Sequence, residues 1–84
     1  MLAASDWQRV SVPASDASAF GEALRAVRNE VGMSQSQLSR AAGLRHSHLS
    51  AIERGVRAPR LDTIVKLARG LGVQPGNLLR RADF

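Results

Sequence analysis

Apolar residues recur along the chain at helical spacing in a series of short stretches punctuated by glycine and proline. Phe20, Leu24, Val27 and Val31 follow at intervals of four, three and four, which predicts the core stripe of a first helix ending at Gly32. Ser15, Asp16 and Ser18 stand before it as capping residues. Ser34 with Gln37 three positions on is a capping-box pattern, so a second helix is predicted over 35–42, with Leu38, Ala41 and Ala42 as its small apolar face. Gly43 suits the left-handed turn that leaves a helix, and Leu44 is expected to point back into the core. Leu49 and Ile52 then mark a third helix, about 46–54, ending at Gly55. Pro59 stops that helix from continuing, and a fourth is predicted near 61–71, with Leu61, Ile64, Val65, Ala68 and Leu71 inward and Asp62 favourably placed in its first turn. Pro75 suits the first position of a fifth helix, 75 to about 81, carrying Leu78 and Leu79. Ahead of these, Gln8, Val10 and Val12 alternate with Arg9 and Ser11, a weak strand signal stopped by Pro13. The predicted organisation is an N-terminal extension 1–15, an all-α five-helix domain 16–81, and a tail 82–84.

What Leu49 and Ile52 bury determines what the third helix exposes. Arg45, His46, Ser47, Ser50, Ala51 and Arg54 lie away from that seam at 100° per residue. These residues are small, polar or cationic. The small residues Ser39, Ala41 and Ala42 allow the second and third helices to approach through a short turn. A thin polar crest with a basic end matches the width of a DNA major groove.

Charge sharpens this picture. Twelve Lys plus Arg against seven Asp plus Glu give the 84 residues a net charge of +5. Between positions 40 and 60 stand Arg40, Arg45, Arg54, Arg57 and Arg60 against a single acid, Glu53. A basic run by itself is ordinarily a solvated surface. Its coincidence with the paired short helices points to a polyanion partner. A membrane-surface helix would need a large aromatic or leucine-rich face that is missing here.

Several function classes fall away. There is no cysteine, hence no disulfide framework and no Cys-based zinc site. No apolar run approaches about 20 residues, and the N-terminus lacks a signal-peptide core, so a cytoplasmic protein is expected. His46 and His48 are two apart, about 200° around a helix, which is poor geometry for a shared metal. No Gly-rich phosphate loop or nucleophile elbow is present, so neither catalysis nor a cofactor is expected. Histidine in this helix makes DNA binding expected to strengthen as pH falls. One domain of this length buries only about 60–65% of its unfolded surface, so dimerisation would add to a thin stability margin.

The stretches GMSQSQLSRAAGL and HLSAIERGVRAPRLDTIVKLARGLGV, and the order of the elements around them, resemble the Cro and phage-repressor (XRE-type) helix-turn-helix family over roughly Phe20 to Leu79. The resemblance implies a lambda-repressor-like fold. It implies a sequence-specific double-stranded DNA-binding transcriptional regulator, foremost a repressor, acting as a homodimer on a palindromic operator. Arg45, His46, Ser47, Ser50 and Ala51 of the recognition helix would then face bases. Gln35, Ser36, His48, Arg54, Arg57 and Arg28 would meet the DNA backbone. Arg28 would also pair with Glu53, and the dimer seam would lie around the fourth and fifth helices, with Leu78 and Leu79.

Arg45 and Arg60 depart from the family, which commonly caps the third and fourth helices with Ser or Thr there. Arginine is a poor cap, but the change frees Arg45 to reach a guanine edge or a phosphate. The alternative reading is an antitoxin or other protein-binding module whose residues 1–15 bind a partner protein, with DNA binding for autoregulation. Trp7, the single tryptophan, would pack on its own core or cross to a partner subunit. A restriction-modification controller and a phage repressor both fit the sequence.

Overall fold

A computed structural model describes residues 10–84, so Trp7, Gln8 and Arg9, and what the sequence leads one to expect of them, lie outside the described residues. Among the described residues five α-helices follow in order: α1 Ala17–Val31, α2 Gln35–Ala42, α3 His46–Glu53, α4 Leu61–Leu71 and α5 Pro75–Arg81. A 3-10 turn, Ala14–Asp16, leads into α1. Among the described residues the only β feature is one antiparallel bridge, Ser11 to Arg60.

Helix α1 buries Phe20, Leu24 and Val27 as its spacing predicts. Val31 does not join them: it is 44% exposed, in a last turn where Asn29, Glu30 and Gly32 are exposed as well. Asp16 occupies the cap position without a side-chain cap bond, so capping by Ser15, Asp16 or Ser18 is not what starts this helix; its entry is the 3-10 turn. Gly21 faces α3 at close range. A Cβ there would lie 2.5 Å from the carbonyl oxygen of Ile52 and 2.7 Å from that of Glu53.

Helix α2 has the full capping box. The Gln37 amide donates to Ser34 Oγ at 3.0 Å, and the Ser34 amide donates to Gln37 Oε1 at 2.8 Å. Its inner face is Leu38, Ser39 and Ala42, while Ala41 is exposed. The stripe is rotated from the predicted one because serine can be buried when its hydroxyl is satisfied, here by the Ser36 carbonyl at 3.1 Å. Gly43 leaves α2 at φ +70, and Leu44 packs against the core.

Helix α4 buries Ile64, Leu67, Ala68 and Leu71 together with Thr63. Leu61 and Val65, predicted inward, are only half-buried and sit at the margins of this stripe. In α5, Leu78 is 0% exposed. Ala82, assigned to the tail, also belongs to the core. Residues 10–13 lie on the body rather than apart from it. Val12 is buried, its amide donates to the Pro59 carbonyl at 3.0 Å, and the Leu61 amide donates to the Val10 carbonyl at 2.7 Å.

Candidate nucleic-acid interface

Helix α3 is held from below by Leu49 and Ile52, both fully buried, and by Glu53. The Glu53 carboxylate is the node of the site. Arg28 Nε donates to Oε2 at 2.6 Å and Arg28 Nη2 to Oε1 at 3.0 Å, while Gln35 Nε2 donates to Oε1 at 3.0 Å. Arg25 adds a charge contact at 3.6 Å. Burial pushes the Glu53 carboxyl up, but the hydrogen bonds from Arg28 and Gln35 and the charges of Arg28 and Arg25 outweigh it, so it stays below its usual range. One carboxylate thus ties the end of α3 to α1 and to the first residue of α2.

This arrangement redirects two expected DNA contacts. Arg28 keeps 12% of its side chain exposed, and its Nη1 donates to the Met33 carbonyl at 2.9 Å. Three of its donors point inward, so it positions α3 and is not placed to meet phosphate. The Gln35 side chain is likewise turned to Glu53. What α2 leaves toward solvent is Ser36 and the backbone amides of Gln35 and Ser36, which precede the first hydrogen bonds of the helix, where the dipole is positive.

The outer face of α3 carries Arg45, His46 and Ser47, all exposed, and Ser50 and Ala51, half-buried. Arg45 sits at the cap in extended backbone, φ −68 and ψ 143, with no side-chain cap bond, so its guanidinium is not held by the helix start. Arg54 is exposed and its Nε donates to the Ser50 carbonyl at 3.3 Å, which lays it along the helix. The loop then folds back on α3, with the amides of Val56 and Arg57 donating to the Ala51 carbonyl at 3.0 and 3.3 Å. His48 is turned sideways into a cleft with Arg57, Ala58, Arg60 and Thr63. Burial first, then the charges of Arg57, Arg60 and Lys66, lower its pKa, against a smaller opposing pull from Asp62. Arg60 was not among the expected contacts. The one sequence signal for it is its place in the arginine-rich stretch 40–60.

The Glu53–Arg28 pair takes one acid and one arginine together out of the surface around α3. That surface offers hydrogen-bond donors, a narrow small-residue crest and flanking cations. Among the described residues no group of three or more His, Asp or Glu side chains comes together as a metal site.

A family model described as helix-turn-helix matches residues 24–78, which spans α2, the turn, α3 and α4 whole, together with about half of α1 and of α5. The chain belongs to the helix-turn-helix family. Its resemblance to the XRE type is carried by the same residues. It is 43% identical over 61 residues to the control protein C.BamHI of Bacillus amyloliquefaciens, covering 71% of this chain and 75% of that one. It is 38% identical over 66 residues to the HTH-type transcriptional repressor RghR of Bacillus subtilis, covering 77% of this chain and 49% of RghR, so it spans about half that relative's length. The crystal structure of the restriction-modification controller protein C.AhdI from Aeromonas hydrophila superimposes with a TM-score of 0.73 at 39% identity, covering 76% of this chain and 97% of that one. In this helix-turn-helix protein α2, the turn and α3 lie wholly within the matched residues.

Of the residues expected at the site, Arg45, His46, Ser47, Ser36, Arg54 and Arg57 are exposed, and Ser50, Ala51 and His48 are half-buried. Arg28, Gln35 and Glu53 form the brace beneath α3. Leu78 is enclosed in the chain's own core and has no surface for a dimer seam; of the two leucines only Leu79 is partly exposed. Among the described residues no helix is long and apolar enough to cross a membrane.

Proposed function

We propose that this chain is a sequence-specific, double-stranded DNA-binding transcriptional regulator that inserts α3 into the major groove. The observation that carries this reading is the face of α3, where a polar crest of Arg45, His46, Ser47, Ser50 and Ala51 stands free while Glu53 braces the helix from behind. Arg45 and His46 read base edges, and Ala51 offers apolar contact to a thymine methyl. Ser36, the free amides at the start of α2, Arg54 and Arg57 hold phosphates on either side. Arg60 and His48 extend that grip from the neighbouring cleft. The activity is binding, with no catalytic step.

The regulator acts as a homodimer on a palindromic operator, with its seam at the α4–α5 end, where Leu79 reaches the surface. Hydroxyl-radical footprinting on the gene's own upstream DNA tests this directly. Two protected patches on one face of the duplex, about 34 Å apart, are expected for paired recognition helices one DNA turn apart. A single unpaired patch would refute the dimer, and uniform protection would refute sequence-specific reading.

A narrower reading rests on the likeness to C.BamHI and C.AhdI, which covers three quarters or more of those two proteins. On it, the chain controls restriction-modification genes and acts as a repressor at its own promoter. A reporter under the promoters of neighbouring endonuclease and methyltransferase genes should respond to this protein. An unchanged reporter, or the lack of such genes beside it, would leave only the general regulator.

A further inference from the structure

The loop after α3 closes a small cleft that the reading of base edges does not use. Its walls come from three elements: His48 of α3, Arg57, Ala58 and Arg60 of the loop, and Thr63 of α4, around a cavity of about 270 Å³. These walls are fixed before anything binds. The amides of Val56 and Arg57 tie one end of the loop to the Ala51 carbonyl; at the other end the Pro59 carbonyl accepts from Val12 and the Leu61 amide donates to Val10.

The chemistry of the cleft is cationic. Arg57 and Arg60 are exposed, and Lys66 stands one turn further along α4. The acid that reaches the cleft is Asp62, whose Oδ2 lies 3.5 Å from Arg60 Nη2 and whose Oδ1 accepts from the Thr63 amide at 2.9 Å. One carboxylate against three fixed cations leaves positive charge in excess. His48 stands among them half-buried. Burial first, then the charges of Arg57, Arg60 and Lys66, disfavour its protonated form, and Asp62 opposes them only in part. An anion in the cleft would relieve these costs together. The start of α4 adds little of its own, since the Leu61 and Thr63 amides already have acceptors.

We propose that this cleft seats a free phosphoryl dianion, either inorganic phosphate or the end of a phosphate monoester, and that the bound anion competes with the DNA backbone for the same cations. Two guanidinium groups, an imidazole and the Thr63 hydroxyl offer more donors than the two oxygens of a carboxylate can take, and they suit the several oxygens of a tetrahedral group. A terminal phosphoryl group enters a three-walled cleft end on, whereas a phosphodiester must carry its chain past on both sides. Once occupied, the cleft withholds Arg57, Arg60 and His48 from the duplex, so free phosphate lowers DNA affinity. The competition rests on the DNA-binding function proposed above; the seat does not.

NMR of the imidazole rings in the full chain without DNA tests the seat, with His46, exposed at the start of the same helix, as the internal control. At fixed pH and ionic strength, replacing chloride with inorganic phosphate should shift the His48 ring signals along a saturating curve and leave those of His46 in place. It should also raise the pH at which His48 titrates. Arg57→Gln and Arg60→Gln should each weaken phosphate binding severalfold, with circular dichroism unchanged. His46 and His48 signals that drift together without saturating, or a His48 response that neither substitution changes, would overturn the seat. So would a His48 silent to phosphate that moves only when duplex is added, since the cleft would then serve the DNA backbone alone. For the competition, the upstream duplex is titrated in phosphate and in chloride of equal ionic strength. The native protein should bind severalfold more weakly in phosphate, and Arg60→Gln should bring the two salts together. Equal affinity of the native protein in both salts would overturn the competition. Failure of the native protein to bind any duplex would instead strike at the proposed function and leave the NMR result standing.

Discussion

Glu53 braces α3, and the cost of losing it follows from where its partners lie. With Glu53→Gln, Arg28 keeps its place under α3 but loses its counter-charge, and breaking such an enclosed pair costs on the order of 3 kcal/mol. A urea titration should show this as a lower midpoint with an unchanged slope; a loss near zero would mean the brace is dispensable. The pH dependence has a defined sign. Glu53 is held below the usual carboxylate range, so its contribution is fully present above about pH 4.3, the ordinary glutamate value, and is lost as pH falls through the lower folded value. The melting temperature should therefore drop under acid more steeply in the native protein than in Glu53→Gln. His48 behaves oppositely toward DNA. Burial and the nearby arginines disfavour its protonated form in the free protein, and a phosphate would relieve that cost. Binding then takes up a proton, so affinity should rise from about pH 8 to pH 6, and His48→Gln should flatten the rise. The Arg28–Glu53 pair was legible through the family resemblance. The turn of Gln35 toward Glu53 was not, because a residue at the start of a helix gives no sequence sign of whether its amide faces a phosphate or a carboxylate two elements away.

Among the elements, α2 to α5 were the most legible, since each start or stop carries its own local chemistry: the Ser34–Gln37 box, Gly43, Pro59 and Pro75. The stripes were less so. Val31 satisfies the helical period but stands exposed in the last turn of α1, and Ser39 is polar yet buried because its hydroxyl bonds within its own helix. Periodicity registers neither whether a neighbour covers a position nor a satisfied hydroxyl. Leu78 shows the same gap at α5, where two adjacent leucines look equivalent and only the packing distinguishes them. Gly21 carries the sharpest prediction at this scale. Its Cβ would collide with two carbonyl oxygens of α3, backbone atoms that cannot step aside, so Gly21→Ala should destabilise by about 1–3 kcal/mol. It should also weaken DNA binding by displacing α3. Thermal melts beside duplex titrations check both effects, and a variant with native stability would show that α1 and α3 are not so closely packed.

Across the whole molecule, the function proposed above assigns reading to the braced α3, gripping to the arginine-bearing loop and pairing to the α4–α5 end. Net charge and the arginine cluster made a basic surface legible from the sequence, but not that the fold withdraws Arg28 and Glu53 from it as a pair. The central claim, that α3 reads a specific duplex, is tested most directly by titrating the protein against its own upstream DNA and a scrambled duplex at two salt concentrations, with Arg45→Ala alongside. The account predicts binding to the upstream duplex at least about a hundredfold tighter, affinity that falls steeply with salt on both, and a loss of discrimination in Arg45→Ala greater than its loss of grip. Weak and equal binding to the two duplexes would contradict it.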